Sequence, residues 1–220
     1  MAALLKICGL STSVTVAAAL DAGADMLGFV FHPNSPRYVT PEAAGGLARP
    51  ARGKAAIVAL AVDADDALLA EIKSALRPDL WQLHGSESLE RVRDVRAVFG
   101  VPVMKAAGIS SGQDLARARA YAGVADRILL DAPPPPDAAY PGGHGAPFDW
   151  ALLNGLGGGF PFMLSGGLTP ENIDGAVRTV RGFGADLAGV DVSSGVERAP
   201  GVKDAAKISS FARAFRAAFA

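Results

Sequence analysis

The sequence predicts an α/β protein built as a single (β/α)₈ TIM barrel that spans residues 1–220. Eight short apolar runs recur along the chain, and their starts lie about 22 to 34 residues apart, near the length of one strand-plus-helix unit. Segments with helical periodicity lie between these runs. Eight such units in 220 residues fit the lower end of the size range for this barrel.

A doubly wound open sheet is the alternative α/β architecture. Its dinucleotide-binding version places a Gly-x-Gly-x-x-Gly motif directly after the first strand. The residues after the first apolar run, Gly9-Leu10-Ser11-Thr12, do not contain that motif. The repeat therefore favours the barrel.

Each apolar run is predicted to form one strand of the barrel. The runs are Leu4–Cys8, Met26–Phe31, Ala56–Val62, Leu80–His84, Pro102–Ala106, Arg127–Asp131, Pro161–Ser165 and Gly189–Ser193. Apolar residues at helical spacing predict helices over Asp66–Leu76, Leu89–Phe99 and Asp204–Phe219. Thr169 followed by Pro170 predicts the start of a further helix, with threonine as the N-cap.

The stretch from Ala132 to Pro147 interrupts the repeat of strand-plus-helix units. It contains the proline run Pro133–Pro136 and the glycine-rich Gly142–Gly145. A linker between two domains is one interpretation of such a tract. Because the same repeat continues on both sides, we interpret it as a long loop over the site, since long loops inside compact domains are often functional.

Composition narrows the classes of function. Half of the residues are hydrophobic, and 21 basic against 22 acidic residues leave a formal net charge of −1. Such a chain can bury a sizeable core and has no electrostatic footprint for nucleic acid or an anionic membrane. No run approaches the length needed to span a bilayer, and the N-terminus is too short and too quickly polar for a signal peptide. The one cysteine, Cys8, must be a free thiol, which predicts a cytoplasmic protein.

Polar residues share one face of several predicted strands. Because strand side chains alternate, residues two apart point the same way. The set that alternates with apolar neighbours comprises Lys6 and Cys8, Gln82 and His84, Leu129 and Asp131, and Asp191 and Ser193. Active sites of these barrels lie at the carboxyl ends of the strands. We therefore expect Cys8, His84, Asp131, Asp191 and Ser193 to converge on one rim, as in an enzyme.

Each of these residues also has a plainer interpretation. Cys8 could be a small buried hydrophobe, and His84 a structural histidine with its hydrogen bonds satisfied. The Lys6 side chain could simply pair with a buried carboxylate. A helix cap is the usual role of an aspartate after a strand, but Asp131 is followed by Ala132 and four prolines, so no helix begins there.

Glycine-bearing loops after the last two strands predict a phosphate site. Loops at these positions commonly bind phosphate through exposed backbone N–H groups, aided by a helix N-terminus. The candidates are Gly166, Gly167, Ser193, Ser194 and Gly195, with Gly143 and Gly145 as further donors from the loop after strand 6. Arg37, between prolines after strand 2, could bind a substrate carboxylate in a bidentate manner. A solvated surface arginine is the alternative.

These segments together resemble phosphoribosylanthranilate isomerase, the tryptophan-pathway family. The resemblance covers essentially the whole chain in order. It is carried by Lys6–Gly9, Gly28–Phe31, Ser35–Arg37, Gln82–Gly85, Leu130-Asp131, Gly142–Asp149, Ser165–Asn172 and Asp191–Glu197. It implies a (β/α)₈ barrel that catalyses an Amadori rearrangement of N-(5-phosphoribosyl)anthranilate without cofactor or metal.

The resemblance also implies residue roles. Cys8 would be the general base, Asp131 the general acid, and Arg37 the ligand of the anthranilate carboxylate. The glycines after strands 7 and 8 would bind phosphate, and His84 and Asp191 are expected to contact substrate. The chain departs from the family at His144, which stands where a threonine is usual in Gly-Gly-Thr-Gly. His144 could contact phosphate instead, with added charge only when protonated.

The chemistry needs opposite protonation states at the two catalytic groups. A thiol with a pKa near 8.5 is largely protonated at neutral pH, whereas a base must be a thiolate and an acid must hold a proton. We therefore expect the site to shift the two pKa values in opposite directions. The alternatives are the analogous isomerase of histidine biosynthesis, whose family has aspartate where Cys8 stands, and a non-catalytic phosphate-binding barrel. The expected partner is a small phosphorylated molecule, and the protein is expected to be a monomer or homodimer.

Overall fold

The computed structural model describes residues 3–135, 137–138, 140, 142–143, 145 and 147–220. Eight parallel strands close into a barrel in sequential order from β1 to β8, and β8 pairs back onto β1. The predicted barrel is confirmed. The strands are β1 Leu4–Cys8, β2 Met26–Val30, β3 Ala56–Ala61, β4 Leu80–Leu83, β5 Val103–Gly108, β6 Arg127–Asp131, β7 Phe162–Leu164 and β8 Leu187–Val192.

Side chains inside the barrel alternate with those that face the helices. The inner set forms a closed apolar cluster that fills the lower part of the barrel: Met26, Val58, Leu80, Met104, Ala106, Leu129 and Met163. Their sequence neighbours, such as Leu5, Leu27 and Ile57, belong to the larger cluster between strands and helices. The alternation along each strand therefore divides the core into two parts, one inside the barrel and one between the strands and the helices.

Within the described residues, seven α-helices surround the strands. They are α1 Ser13–Asp21, α2 Pro41–Ala48, α3 Asp66–Leu76, α4 Leu89–Phe99, α5 Gly112–Ala120, α6 Ile173–Gly182 and α7 Ala205–Phe219. The helices predicted over 66–76 and 89–99 are confirmed, and Asp204 caps the last helix by accepting from the Lys207 N–H at 3.0 Å. No helix of the described residues is long and apolar enough to cross a membrane.

Two details of the predicted pattern are wrong. The unit after β6 has only a short 3₁₀ turn, Trp150–Leu153, where an α-helix was expected. Helix α6 begins at Ile173, three residues later than the predicted start. The reason lies in Asn172, whose side chain folds back to accept from the Thr169 N–H and to donate to the Gly167 carbonyl, both at 2.8 Å. The segment between them is therefore a turn.

A small hairpin follows β8. Its strands β9 Glu197–Ala199 and β10 Val202–Lys203 pair antiparallel, with a register shift between Val202 and Lys203. The hairpin lies against the loop after β2, because a Cβ on Gly201 would come within 2.2 Å of the Pro36 carbonyl oxygen. This contact places the hairpin next to the loop that carries Arg37.

Candidate active site

A cavity of about 300 Å³ opens at the carboxyl ends of the strands. Its lining includes all five residues predicted as catalytic or substrate-binding: Cys8, Arg37, His84, Asp131 and Asp191. The loop after β6 also lines it through Pro133–Pro135, Tyr140, Gly142 and Gly143. The described part of that loop therefore covers the site, while Pro136 and His144 lie outside the described residues.

The thiol of Cys8 lies in a tightly packed part of this cavity. Its neighbour across the β1–β2 ladder is Gly28, and a Cβ on Gly28 would lie 2.8 Å from Cys8 Sγ and 3.1 Å from Lys6 Nζ. Glycine is therefore required at position 28 to leave room for the sulfur and the ammonium group. Sequence reasoning quoted Gly28 only as part of a motif and did not assign it this role.

Beside the thiol, Lys6 and Asp191 form a buried ion pair. Lys6 Nζ lies 2.8 Å from Asp191 Oδ1, and the Lys6 side chain is fully buried. Burial opposes the charge, but the facing Asp191 and Cys8 raise the pKa of Lys6. The interpretation of Lys6 as the partner of a buried carboxylate is confirmed, and that carboxylate is Asp191.

The protonation of Cys8 differs from the expectation. Burial raises the pKa of the thiol above its ordinary value and the negative charge of Asp191 acts in the same direction, although Lys6 and Lys203 oppose them. Loss of water and the Asp191 charge together disfavour the thiolate more than the two nearby cations favour it. The expected lowering of this pKa is therefore wrong for the protein without substrate.

Across the cavity, Asp131 is joined to His84. Asp131 Oδ2 lies 3.1 Å from His84 Nε2, and Asp131 Oδ1 accepts from the Ala132 N–H at 2.8 Å. Gln82 Nε2 lies 2.9 Å from His84 Nδ1 and fixes the other side of the ring. Gly142 passes directly over the pair, since a Cβ there would lie 3.0 Å from both Asp131 Oδ2 and His84 Nε2.

Arg37 is held by a carboxylate that sequence reasoning missed. Glu197 accepts from Arg37 Nε at 2.7 Å and from Nη2 at 2.9 Å, and the Gly143 carbonyl accepts from Nη2 at 3.0 Å. Lys203 donates to the same carboxylate. Burial opposes ionisation of Glu197, but these donors keep its pKa below the ordinary value. The interpretation of Arg37 as a solvated surface residue is wrong, because only 4% of it is exposed.

The loops after β7 and β8 meet in a second, smaller cavity. A Cβ on Gly195 would lie only 1.8 Å from the Leu168 carbonyl oxygen, so the two loops touch at this glycine. The lining includes four of the predicted phosphate residues, Gly145, Gly167, Ser194 and Gly195, together with Lys207. Gly166 and Ser193 line the larger cavity nearby.

Two features of this phosphate region were not expected. Gly143 lines the larger cavity and contacts the Arg37 guanidinium. Lys207, from the first turn of α7, brings an ammonium group to the smaller cavity, and its Nζ donates to the Glu197 carbonyl at 2.7 Å. A lysine three residues after the Asp204 cap was the available sequence signal, but it does not by itself show which loop the side chain meets.

Across the described residues, no three His, Cys, Asp or Glu side chains gather as a ready metal site. The groups that do gather are a thiol, a carboxyl–imidazole pair and an anchored guanidinium, all at the carboxyl end of a barrel. These are groups for proton transfer and anion binding. The fold and the site therefore define a (β/α)₈ barrel whose cavity gathers groups suited to proton transfer and anion binding.

Comparison with known proteins gives the particular family. The model of the N-(5'phosphoribosyl)anthranilate (PRA) isomerase family matches residues 5–214. The N-(5'-phosphoribosyl)anthranilate isomerases of Nitrobacter hamburgensis and Rhodopseudomonas palustris are 58% and 57% identical, over 99% of this chain and 95% and 97% of theirs. The chain belongs to this family.

Solved structures of this isomerase family have the same fold as this chain. The phosphoribosyl anthranilate isomerase of Thermotoga maritima superimposes with a TM-score of 0.86 at 35% identity, covering 98% of this chain and all of that one. A second such isomerase, solved with reduced 1-(o-carboxyphenylamino)-1-deoxyribulose 5-phosphate, gives a TM-score of 0.83 at 33% identity and the same coverage. A further Thermotoga maritima structure consists of monomers generated from a dimeric enzyme.

Proposed function

We propose that this protein catalyses the Amadori rearrangement of N-(5-phosphoribosyl)anthranilate to 1-(2-carboxyphenylamino)-1-deoxyribulose 5-phosphate in tryptophan biosynthesis, with Cys8 as general base and Asp131 as general acid. The observation that carries the proposal is that Cys8 and Asp131 line one cavity in a member of this isomerase family. The cysteine at the end of β1 favours the anthranilate substrate over that of the related histidine-pathway enzyme.

The two ends of the substrate fix its position. Its phosphate would enter the smaller cavity, which is lined by Gly145, Gly167 and Gly195, whose backbone N–H groups would donate to it, and by Lys207, which adds a positive charge. Its aromatic carboxylate would meet Arg37, which lies in the wall of the larger cavity. The ribose then lies between the two catalytic groups.

Ring opening requires a proton on the ribose ring oxygen. Asp131 is proposed to supply it while the anilino nitrogen forms an iminium bond to C1. A carboxyl group can donate only when protonated, and His84 Nε2, at 3.1 Å, is the neighbouring group able to return a proton between turnovers. Gln82 holds the ring in the required orientation, so His84 serves Asp131 as well as contacting substrate.

Removal of the C2 proton is assigned to Cys8. Burial keeps the thiol protonated in the free protein, so the thiolate is a minor species at neutral pH. The iminium cation formed in the first step supplies the missing positive charge beside the sulfur and acidifies the C2 proton. Loss of that proton gives an enolamine, which tautomerises to the ketone. Lys6 favours the thiolate, whereas its ion-pair partner Asp191 opposes it.

We also propose a class of partner, an oligomeric state and a compartment for the protein. The partner is a small phosphorylated molecule, and a monomer or homodimer is expected. A single buried free thiol suits the reducing environment of the cytoplasm.

The test uses the fluorescence of the anthranilate group. Purified protein is mixed with freshly made phosphoribosylanthranilate, and loss of fluorescence is followed in the wild type, Cys8→Ala and Asp131→Asn. We expect rapid loss in the wild type and a decrease of roughly 10²–10⁴-fold in each variant. Asp126→Asn is the matched control. Like Asp131, Asp126 accepts a hydrogen bond from a backbone N–H, that of Val103 at 2.9 Å, but it lies just before the N-terminal end of β6, away from the cavity.

The outcomes separate the parts of the proposal. No turnover by the wild type would contradict the isomerase assignment and shift attention to the histidine-pathway substrate or to a binding role. Turnover that survives Cys8→Ala nearly intact would retain the isomerase and remove Cys8 as the base.

A further inference from the structure

The hairpin after β8 places two charged side chains behind Arg37. Glu197 and Lys203 are directly paired residues of its two strands, and the hairpin lies on the loop that carries Arg37 through the contact of Gly201 with Pro36. Neither Glu197 nor Lys203 lines the larger cavity, whereas Arg37 does. Glu197 therefore faces a ligand in that cavity through Arg37, whereas Lys203 contacts Glu197 and also donates to the carbonyl and hydroxyl oxygens of Ser193, a residue of the cavity wall, both at 3.1 Å.

Glu197 fixes the plane of the Arg37 guanidinium. Its Oε1 accepts from Arg37 Nε at 2.7 Å and from Lys203 Nζ at 2.5 Å, and its Oε2 accepts from Arg37 Nη2 at 2.9 Å and from the Gly201 N–H at 3.1 Å. Both carboxylate oxygens are saturated. A fork-to-fork contact of this kind specifies orientation as well as adding energy.

The charges of this cluster do not cancel. Arg37 and Lys203 are cations and Glu197 is the single carboxylate in contact with them among the described residues, so the cluster carries one excess positive charge. The side chains are 5%, 0% and 4% exposed, respectively. Excess charge at such burial is unfavourable until an anion balances it. Burial lowers the pKa of Lys203 even with Glu197 in contact, as expected for an incompletely balanced cation.

We propose that Glu197 and Lys203 are positioning residues that make Arg37 a selective receptor for the carboxylate on the aromatic ring of the substrate. Glu197 sets the direction of the guanidinium but would neutralise it, and Lys203 restores the positive charge. This role rests on the proposed function, since it assumes that the aromatic carboxylate meets Arg37. The ligand class is an aromatic amine bearing a carboxylate and linked to a phosphorylated sugar.

The test compares two stable ligands on the same protein. One is the reduced product analogue, 1-(2-carboxyphenylamino)-1-deoxyribitol 5-phosphate, and the other is its phenyl counterpart without the carboxylate. Titration calorimetry gives Kd for both ligands in the wild type, Lys203→Met, Arg37→Gln and the double variant. Because the readout is a ratio of two Kd values for one sample, a partly folded fraction does not affect it.

We expect Lys203→Met to weaken binding of the carboxylate ligand about tenfold, from the loss of one charge at short range. Binding of the phenyl ligand should change less than about twofold, since its remaining anion is the phosphate, which is proposed to occupy the smaller cavity, and Lys203 does not line that cavity. In the Arg37→Gln background, Lys203→Met should no longer alter the ratio. Lys203→Gln is the second variant if Lys203→Met does not fold, and Lys203→Arg should retain the wild-type ratio.

Other results would overturn the proposal. An equal loss for both ligands would mean a merely structural role for Lys203, and an undiminished effect in the Arg37→Gln background would mean that it does not act through Arg37. Failure of the wild type to bind either ligand would contradict the proposed function itself. Wild-type binding without any preference for the carboxylate would contradict only the receptor role of Arg37.

Discussion

Replacement of Gly28 by alanine tests the packing around the Cys8 thiol. The position lies in β2, outside the left-handed backbone region, so alanine brings no backbone strain. Its methyl group would lie 2.8 Å from Cys8 Sγ, and the sulfur must move by about 0.6 Å to reach an ordinary contact of 3.4 Å. Lys6 Nζ, at 3.1 Å from the same methyl group, closes the other direction.

Two opposing terms decide the effect on stability. Inserting a methyl group into a tightly packed interior costs about 1–3 kcal/mol, and replacing glycine by alanine in a compatible conformation recovers about 0.4–1 kcal/mol through the unfolded chain. The expected net loss is about 1–2 kcal/mol. In a chain of this size it lowers Tm by about 2–8 °C.

The effect on turnover should be larger than the effect on folding. A catalytic group displaced by about 1 Å can cost about 10²-fold in rate, so a shift of about 0.6 Å predicts a roughly 10- to 100-fold decrease in kcat. The assay is the loss of anthranilate fluorescence, with thermal unfolding measured on the same samples.

Gly46→Ala is the matched control for Gly28→Ala. Gly46 lies in helix α2, and a Cβ there meets nothing within 4 Å. This variant should keep full activity and gain about 0.4–1 kcal/mol of stability. If Gly28→Ala kept kcat within threefold of the wild type and showed no fall in Tm, the described packing of Cys8, Lys6 and Gly28 would be refuted.

Two further predictions concern the thiol and the phosphate loops. Since Cys8 is the single cysteine and burial raises its pKa, the thiolate absorbance of the wild type minus that of Cys8→Ala should titrate with a midpoint above that of the same thiol in the unfolded protein; a midpoint at or below the unfolded value would contradict this. The folded state therefore binds that proton more tightly, and the resulting stability is present below the ordinary thiol pKa and lost as pH rises through the raised one. Gly195→Ala would place a methyl group 1.8 Å from the Leu168 carbonyl oxygen and should raise KM for the phosphorylated substrate at least tenfold. Gly175→Ala is the control, because a Cβ at Gly175 meets open space. An unchanged KM in Gly195→Ala would count against the proposed phosphate site.

The sequence alone determined the barrel and the residues that face its mouth. Strands and helices follow from local periodicity, so the runs at Leu4–Cys8 and Arg127–Asp131 predict strands with the observed bounds. Alternation along each strand then determines that Lys6 and Cys8 point inward together. The closure of eight units turns these local directions into convergence at one rim.

Some elements depended on contacts that no local pattern records. The residues from Thr169 to Asn172 form a turn because the Asn172 side chain folds back onto the loop. The proline-rich run after Asp131 is predicted to be a loop, and only the 3₁₀ turn at Trp150–Leu153 stands where the strand–helix repeat predicts an α-helix. A proline has no N–H to donate and cannot continue a helix interior. The strands on either side, β6 and β7, nevertheless pair in parallel like the other neighbours in the barrel.

The tertiary structure decided which charges meet and how much water each one loses. Arg37 and Glu197 are 160 residues apart in the sequence. They meet because the hairpin after β8 packs against the loop after β2. The pKa of Cys8 is likewise set by burial and by charges from three different strands, at Lys6, Asp191 and Lys203. Residue types and periodicity are local properties of a sequence, whereas ion pairing and desolvation depend on distances across the folded molecule.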